Sequence, residues 1–170
     1  MAHKIIAISR QFGSGGREIG MLVAEKLGIK CYDKELIDMA AEHGDIEYKR
    51  LRKLDERNEN PWYHEVVYDG NHNVAKGKSA AYVLFDLESA VIKNIARNED
   101  AVIVGRCADH ILKDTDTKLL TVFISAPFEC RVLRKMMIEG TGQGRTEAQV
   151  KKMDKQRGEF YESHVGKSWG

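Results

Sequence analysis

Ile5-Ile6-Ala7-Ile8-Ser9-Arg10-Gln11-Phe12-Gly13-Ser14-Gly15-Gly16-Arg17-Glu18-Ile19-Gly20 decides the reading of this chain. An apolar run of strand length enters a loop with glycine at positions 13, 15 and 16. A segment with Ile19, Leu22, Val23 and Leu27 at helical spacing follows, stopped at Gly28. Strand, glycine loop and helix in that order set backbone N–H groups where they can cradle a phosphate. Glycine admits the positive φ angles and the close approach this needs, and a helix N-terminus adds about half a positive charge. The candidate cradle is Gly13, Ser14, Gly15 and Gly16, with Arg17 and Glu18 directly behind. The P-loop pattern asks for Lys and then Ser or Thr after its last glycine. Here Arg17 and Glu18 follow Gly16, so a glycine-rich turn that only joins strand to helix stays open as the alternative.

Working outward, Lys30-Cys31-Tyr32 predicts a short second strand ending at Asp33, a residue suited to cap a helix carrying Leu36, Ile37 and Ala40 and closing near Gly44. Residues 46–57 are strongly charged. Lys49-Arg50-Leu51-Arg52-Lys53 invites a nucleic-acid reading, but Glu47, Asp55 and Glu56 beside it favour a solvated helix face. Residues 58–79 hold no period and read as an irregular insertion, functional or mobile at that length. Its Trp62, Tyr63 and Tyr68 either stack on a base or anchor the insertion to the core.

Leu84, Leu87, Val91 and Ile95 predict a helix, Ala101–Val104 a buried strand ending in Gly105-Arg106, and Ile111-Leu112 a short helix. Leu119–Ile124 is the strongest strand signal, and Pro127 is placed to open the next helix at its first position. Residues 140–144, with three glycines, read as a flexible segment and the tip of a closing lid. Thr146 and Gln149 form a capping-box pattern that starts the last helix, which runs through Val150, Met153 and Phe160. Strands alternating with helices predict an α/β fold with a mainly parallel sheet covered on both faces and the site along the strand C-termini.

Totals narrow the class. At 170 residues the chain fits a single domain, 1–170, with enough length for a sizeable core. A net charge of +1 supplies no global field toward nucleic acid or a membrane surface, so neither is expected as a partner. Cys31, Cys107 and Cys130 are odd in number and lack a CxxC pair, which argues against disulfides or zinc and for a reducing cytoplasm. No apolar run reaches membrane-span length, and the first one is too short for a signal peptide. A soluble, cytoplasmic domain is the expectation; its oligomeric state stays open.

Each predicted strand end delivers a group useful to phosphate chemistry: the glycine loop, then Asp33 with Lys34, then Arg106. The helix after the strongest strand carries Arg131 and Arg134 three apart on one face, and the last helix carries Asp154 and Arg157. Singly these are ordinary surface charges. Together beside a glycine loop they suggest phosphoryl transfer, which needs positioned positive charge and a metal more than covalent help.

Ile8–Gly20, Tyr32-Asp33-Lys34-Glu35-Leu36-Ile37, Val104-Gly105-Arg106-Cys107-Ala108-Asp109 and Asp154-Lys155-Gln156-Arg157 resemble the cytidylate kinase-like family. This is a branch of the P-loop nucleoside monophosphate kinases found mostly in bacteria. The resemblance covers most of the chain and is weakest over 58–79. It implies a three-layer α/β/α P-loop NTPase fold with a helical lid, ATP with Mg²⁺ as donor, and transfer of the γ-phosphoryl group to a small nucleotide such as CMP or dCMP. It further implies that Arg106 grips the acceptor phosphate, that Asp154 and Arg157 contact acceptor sugar and phosphate, and that Arg131 and Arg134 close over the ATP phosphates. Asp33, Lys34 and Cys107 complete the implied acceptor site, and Arg17 joins Arg131, Arg134 and Arg157 as a catalytic candidate.

Departures accompany the match. Gly16 or Arg17 stands where the family has its P-loop lysine, Cys107 where it has the Asp that reads cytosine, and Lys34 where it has a serine. The family's last strand is not found before Gly170. Arg17 is the candidate substitute for the lysine's charge, though a planar fork holds phosphate differently from an ammonium. Glu18 falls where a hydroxyl would bind Mg²⁺; it either binds the ion itself or only suits the helix dipole, and Asp33 is the other candidate ligand. Two further readings stay open. One is a nucleotide-binding sensor or interaction protein with little transfer, favoured by the missing lysine. The other is a kinase of a non-nucleotide small molecule, favoured by Cys107 and Lys34.

Overall fold

A computed structural model describes residues 2–43 and 80–170. The charged run at 46–57 and the aromatic insertion at 58–79 lie outside the described residues. The elements are β1 (Lys4–Arg10), α1 (Gly16–Leu27), β2 (Lys30–Tyr32), α2 (Glu35–His43), α3 (Ala80–Asn98), β3 (Ala101–Val104), α4 (Ala108–Leu112), β4 (Lys118–Ile124), α5 (Phe128–Glu139) and α6 (Gln143–Val165). The strands make one sheet in the order β2-β3-β1-β4, and every neighbouring pair is parallel.

Ala101, Val102, Ile103 and Val104 are all fully buried, the mark of a strand covered on both faces. Side chains alternate across the sheet. Val102 and Val104 join Ile8 and Ala24 on the α1 side, whereas Ala101 and Ile103 join Ile5, Ala7, Leu36, Ile92, Ile95 and Leu112 under α2, α3 and α4. Each large aliphatic side chain buried there contributes about 1.5–3 kcal/mol. The fold is the α/β/α three-layer arrangement expected from the alternation of strands and helices.

Helix α1 exists where its period places it, but it packs by a different face. Ile19, Leu22 and Leu27 are exposed, Leu22 at 55%, and of the four expected residues only Val23 is half-buried against the core, while Gly16, Gly20 and Ala24 are buried. The small residues at four-residue spacing let the helix lie close on β3. A Cβ on Gly20 would come 2.9 Å from Val104 Cγ2, so close packing of bare backbone displaces the larger side chains from the sheet-facing stripe.

Three boundaries also shift. Pro127 is the N-cap of α5, with extended backbone, rather than its first helical residue. Helix α6 begins at Gln143 after the N-cap Gly142, so Thr146 does not start it. Thr146 is buried, and its hydroxyl turns back to Gly142 O at 3.0 Å and to the Thr141 hydroxyl. An oxygen engaged with the preceding turn does not serve as a cap. Gly144 consequently belongs to α6, and the glycine-rich segment shortens to the Gly140–Gly142 connection of a helical hairpin.

Parallel strands put their C-terminal ends on one edge. Arg10, Asp33, Gly105-Arg106 and the end of β4 meet there.

Candidate active site

Gly15 caps α1 in a left-handed conformation (φ 84°) without any side-chain hydrogen bond. The first N–H groups of a helix have no acceptor within it, so they face the loop as donors for an anion. Gly13 is also left-handed, and a Cβ there would meet Arg131 O at 2.9 Å. Ser14 stiffens the turn: its Oγ donates to Gln11 O at 2.9 Å.

The loop is held from behind by α5 and α6. Phe12 N donates to Asp154 Oδ1 at 2.7 Å, and Arg131 Nη1 donates both to Phe12 O at 3.0 Å and to Asp154 Oδ2. Arg131 Nε also donates to Ala126 O at 3.0 Å. With its side chain only 7% exposed, Arg131 acts as a latch between the loop and the α5–α6 hairpin. Asp154 is the other half of that latch. The Phe12 ring lies under Lys135 and Arg157, whose charges sit 4.7 and 5.4 Å from its centroid. Gln11 Oε1 accepts from Ala126 N, tying the same loop to the end of β4.

The front of the loop is arginine-rich. Arg134 lies over Gly15, within 3.5 Å of where a Cβ would stand, and pairs with Glu18 at 3.3 Å. The Glu18 carboxyl is held below its ordinary range by its own backbone N–H first, with Arg134 adding to the effect. Arg17 is half exposed and its Nε meets Asp33 Oδ2 at 3.0 Å. Asp33 precedes the start of α2 by two residues, and its buried carboxylate faces Arg17 and Arg10, the latter at 3.5 Å. Lys34 next to it is exposed.

The β3 end is strained. Gly105, Arg106 and Cys107 are left-handed in succession, at φ 82°, 57° and 53°. Two consecutive non-glycine residues in that region cost on the order of 1–3 kcal/mol each and need surrounding structure to hold them. Arg106 is held by Glu88 of α3, whose side chain is 1% exposed, at 3.1 Å. Burial pushes the Cys107 thiol up to about 12, with Asp109 and Glu88 adding to the rise against Arg106. Cys107 therefore stays protonated near neutral pH and is no nucleophile.

Arg157 reaches the same edge from α6 and donates to Arg10 O at 3.1 Å. Burial lowers its pKa, opposed by the charges of Asp154 and Asp33, and the charge of Arg106 lowers it further. Arg106 and Arg157, distant in sequence, thus lie within electrostatic reach of each other. A guanidinium stays charged in any case, and a nearby anion would relieve this crowding of cations.

Two residues of this edge escape the strand-and-motif reading. Arg10 ends β1 as the first charge after an apolar run, immediately before the glycine loop. Glu88 occupies the apolar stripe of α3 in the series Leu84, Glu88, Val91, Ile95, and a carboxylate on a buried stripe is a signal in its own right.

A parallel sheet with a glycine loop at the first strand end and arginines gathered around it is the architecture of P-loop kinases. The chain belongs to the cytidylate kinase-like family, whose sequence pattern matches residues 5–170. No curated protein matches the sequence. Among solved structures, an uncharacterized protein from Eubacterium ventriosum superposes with a TM-score of 0.69 at 27% identity, covering 99% of this chain and 81% of that one. A shikimate kinase from Bacteroides thetaiotaomicron gives 0.54 at 18% identity, over 94% of this chain and 82% of that one. A gluconokinase from Sinorhizobium meliloti gives 0.52 at 13%, over 90% and 74%. The two kinases share the fold, and family and fold together support phosphoryl transfer as the reaction class. No helix among the described residues is long and apolar enough to cross a membrane.

Proposed function

We propose that this protein is a kinase that transfers the γ-phosphoryl group of ATP to a nucleoside monophosphate, with CMP and dCMP the first acceptors to test. The observation that carries this is the gathering of Arg10, Arg17 and Arg157 at the strand C-terminal edge, the first two on the Asp33 carboxylate and the third on Arg10 O, beside a glycine loop capped by left-handed Gly15. In this reading the loop N–H groups and Arg134 hold the ATP phosphates. Arg106 and Arg157 take the acceptor phosphate through paired charge-assisted hydrogen bonds. The acceptor oxygen attacks the γ-phosphorus, the bond to the β–γ bridging oxygen breaks, and its electron pair leaves with ADP. Positive charge fixed in advance lowers the barrier because the transition state spreads negative charge over the equatorial oxygens.

Mg²⁺ fits the donor set in the way phosphate-borne Mg²⁺ commonly does, with one or two protein carboxylates and several waters. Asp33 and Glu18 are the carboxylates on the open side of the loop that would hold the ion, Asp33 now paired with Arg10 and Arg17 and Glu18 with Arg134, and the described residues hold no cluster of three or more His, Cys, Asp or Glu. The ion would neutralise charge between the phosphates.

Cys107 favours a second reading, a kinase of a non-nucleotide small acceptor. A buried, protonated thiol is a weak hydrogen-bonding partner where a carboxylate would read an amino-bearing base. An ADP-release assay with Mg²⁺ and ATP over a panel of nucleoside monophosphates and small hydroxylated metabolites separates the two. Turnover with CMP or dCMP supports the first reading, turnover only with a non-nucleotide supports the second, and ATP binding without turnover on any acceptor refutes both.

A further inference from the structure

The P-loop pattern reads glycine, four residues, glycine, lysine, then serine or threonine. With its second glycine set on Gly15, the N-cap of α1, the pattern asks for glycine at position 10 and lysine at position 16. This chain has the two kinds of residue exchanged: Arg10 and Gly16.

The fold brings the exchanged positions face to face. A Cβ on Gly16 would run into the Cβ of Arg10 and lie 2.8 Å from its Cγ. The stem of Arg10 therefore fills the room that a side chain at position 16 would take. Its head crosses to the end of β3, where a Cβ on Gly105 would run into Nη1 and lie 2.9 Å from the guanidinium carbon. Nη2 stands 3.5 Å from Asp33 Oδ1. Gly16 at the start of α1 and Gly105 in the turn after β3 are thus left bare along a single arginine, whose guanidinium rests between Asp33 and the strained Gly105-Arg106 turn. Arg17, whose charge follows the loop directly, is by contrast half exposed and points its Nε at Asp33.

We propose that Arg10 supplies the cation that the P-loop lacks: delivered from the end of β1 instead of the start of α1, its guanidinium contacts the phosphoryl group in flight. The inference rests on the kinase reading above. The bond broken joins the γ-phosphorus to the β–γ bridging oxygen, the bond formed joins it to the acceptor oxygen, and Arg10 stabilises the charge on the equatorial oxygens without exchanging a proton. A fork bound to one or two of those oxygens replaces the point charge of an ammonium.

The test compares wild type, Arg10→Ala, Arg10→Lys, Gly16→Lys and the double variant Arg10→Gly/Gly16→Lys. Measurements are ATP affinity by calorimetry, ADP release with Mg²⁺-ATP in the presence and absence of CMP, and the melting temperature. Arg10→Ala is expected to lower kcat on the order of a hundredfold or more, the scale of losing one transition-state donor, with ATP affinity and melting temperature changed far less. Arg10→Lys should retain an intermediate rate. Gly16→Lys alone should melt earlier and gain no rate, since its Cβ meets Arg10. The double variant, which writes the standard glycine and lysine back into positions 10 and 16, should recover a substantial part of the rate lost in Arg10→Ala. A merely structural Arg10 predicts no such recovery. Full turnover in Arg10→Ala, or a folded double variant no faster than Arg10→Ala, overturns the inference alone. A wild type that releases no ADP with any acceptor of the panel above, whether or not it binds ATP, overturns the kinase reading, and the role of Arg10 with it.

Discussion

Removing the Asp154 carboxylate separates two accounts of that residue. The family resemblance implies a contact to the acceptor, whereas the structure joins Asp154 to Phe12 N at 2.7 Å and to the buried Arg131. Asp154→Ala deletes a charge-assisted hydrogen bond worth about 1.5–3 kcal/mol and leaves Arg131 without its carboxylate partner. Breaking a buried pair costs about 3–5 kcal/mol in general. Here Arg131 keeps two carbonyl acceptors, Ala126 O and Phe12 O, which moderates the loss. A total of about 3 kcal/mol follows. For a domain of this size each kcal/mol shifts the melting temperature by roughly 2–4 °C, so a fall of about 6–12 °C is expected. Asp154→Asn keeps an acceptor for Phe12 N and should lose about half as much. Circular-dichroism melts and urea titrations measure both, and ATP affinity should weaken in parallel because the loop loses its anchor. Asp154→Ala melting within about 2 °C of wild type, with only the acceptor KM raised, would refute the latch and return Asp154 to the acceptor site.

Three shorter expectations complete the set. Gly20→Leu should destabilise the protein by about 1–3 kcal/mol or more through overpacking against Val104, whereas Leu22→Ala on the exposed face should fall within about 0.5 kcal/mol; equal effects in urea titrations would contradict the small-residue face of α1. Arg106→Ala and Arg157→Ala should each lower kcat/KM for the acceptor with ATP affinity nearly intact, and the double variant should be less impaired than the product of the two; independent effects would place them on different groups. With its thiol raised from 9.0 to about 12, Cys107 should resist iodoacetamide at pH 8 while exposed Cys130 labels, as peptide mass mapping would report. The folded state binds the extra proton, so the stability this contributes is complete below about pH 9 and is lost as pH rises toward 12; rapid labelling of folded Cys107 at pH 8 would contradict its burial.

The strands, most helices and the parallel topology were legible in the chain because each leaves a local trace: Ala101–Val104 as an unbroken apolar run, Leu84, Val91 and Ile95 at helical spacing, and Gly13–Gly16 as a loop between strand and helix. Arg106 and Arg157 were legible as charges at strand and helix positions facing one edge. What each charge meets was not, since partners such as Glu88 for Arg106 or Phe12 for Asp154 are far apart in sequence and a contact depends on where the whole fold sets two side chains. The packed face of α1 was hidden for a related reason. Apolar spacing points to Ile19, Leu22, Val23 and Leu27, yet of these only Val23 packs on the core, while the closest approach of α1 to β3 leaves Gly20 no room for a side chain, and the width of a gap is a property of two elements, never of one. Arg10 shows the same division: its identity and its place before the loop are sequence, but that its stem occupies the bare side of Gly16 and its head the bare side of Gly105 is decided only when β1, α1 and β3 close against one another.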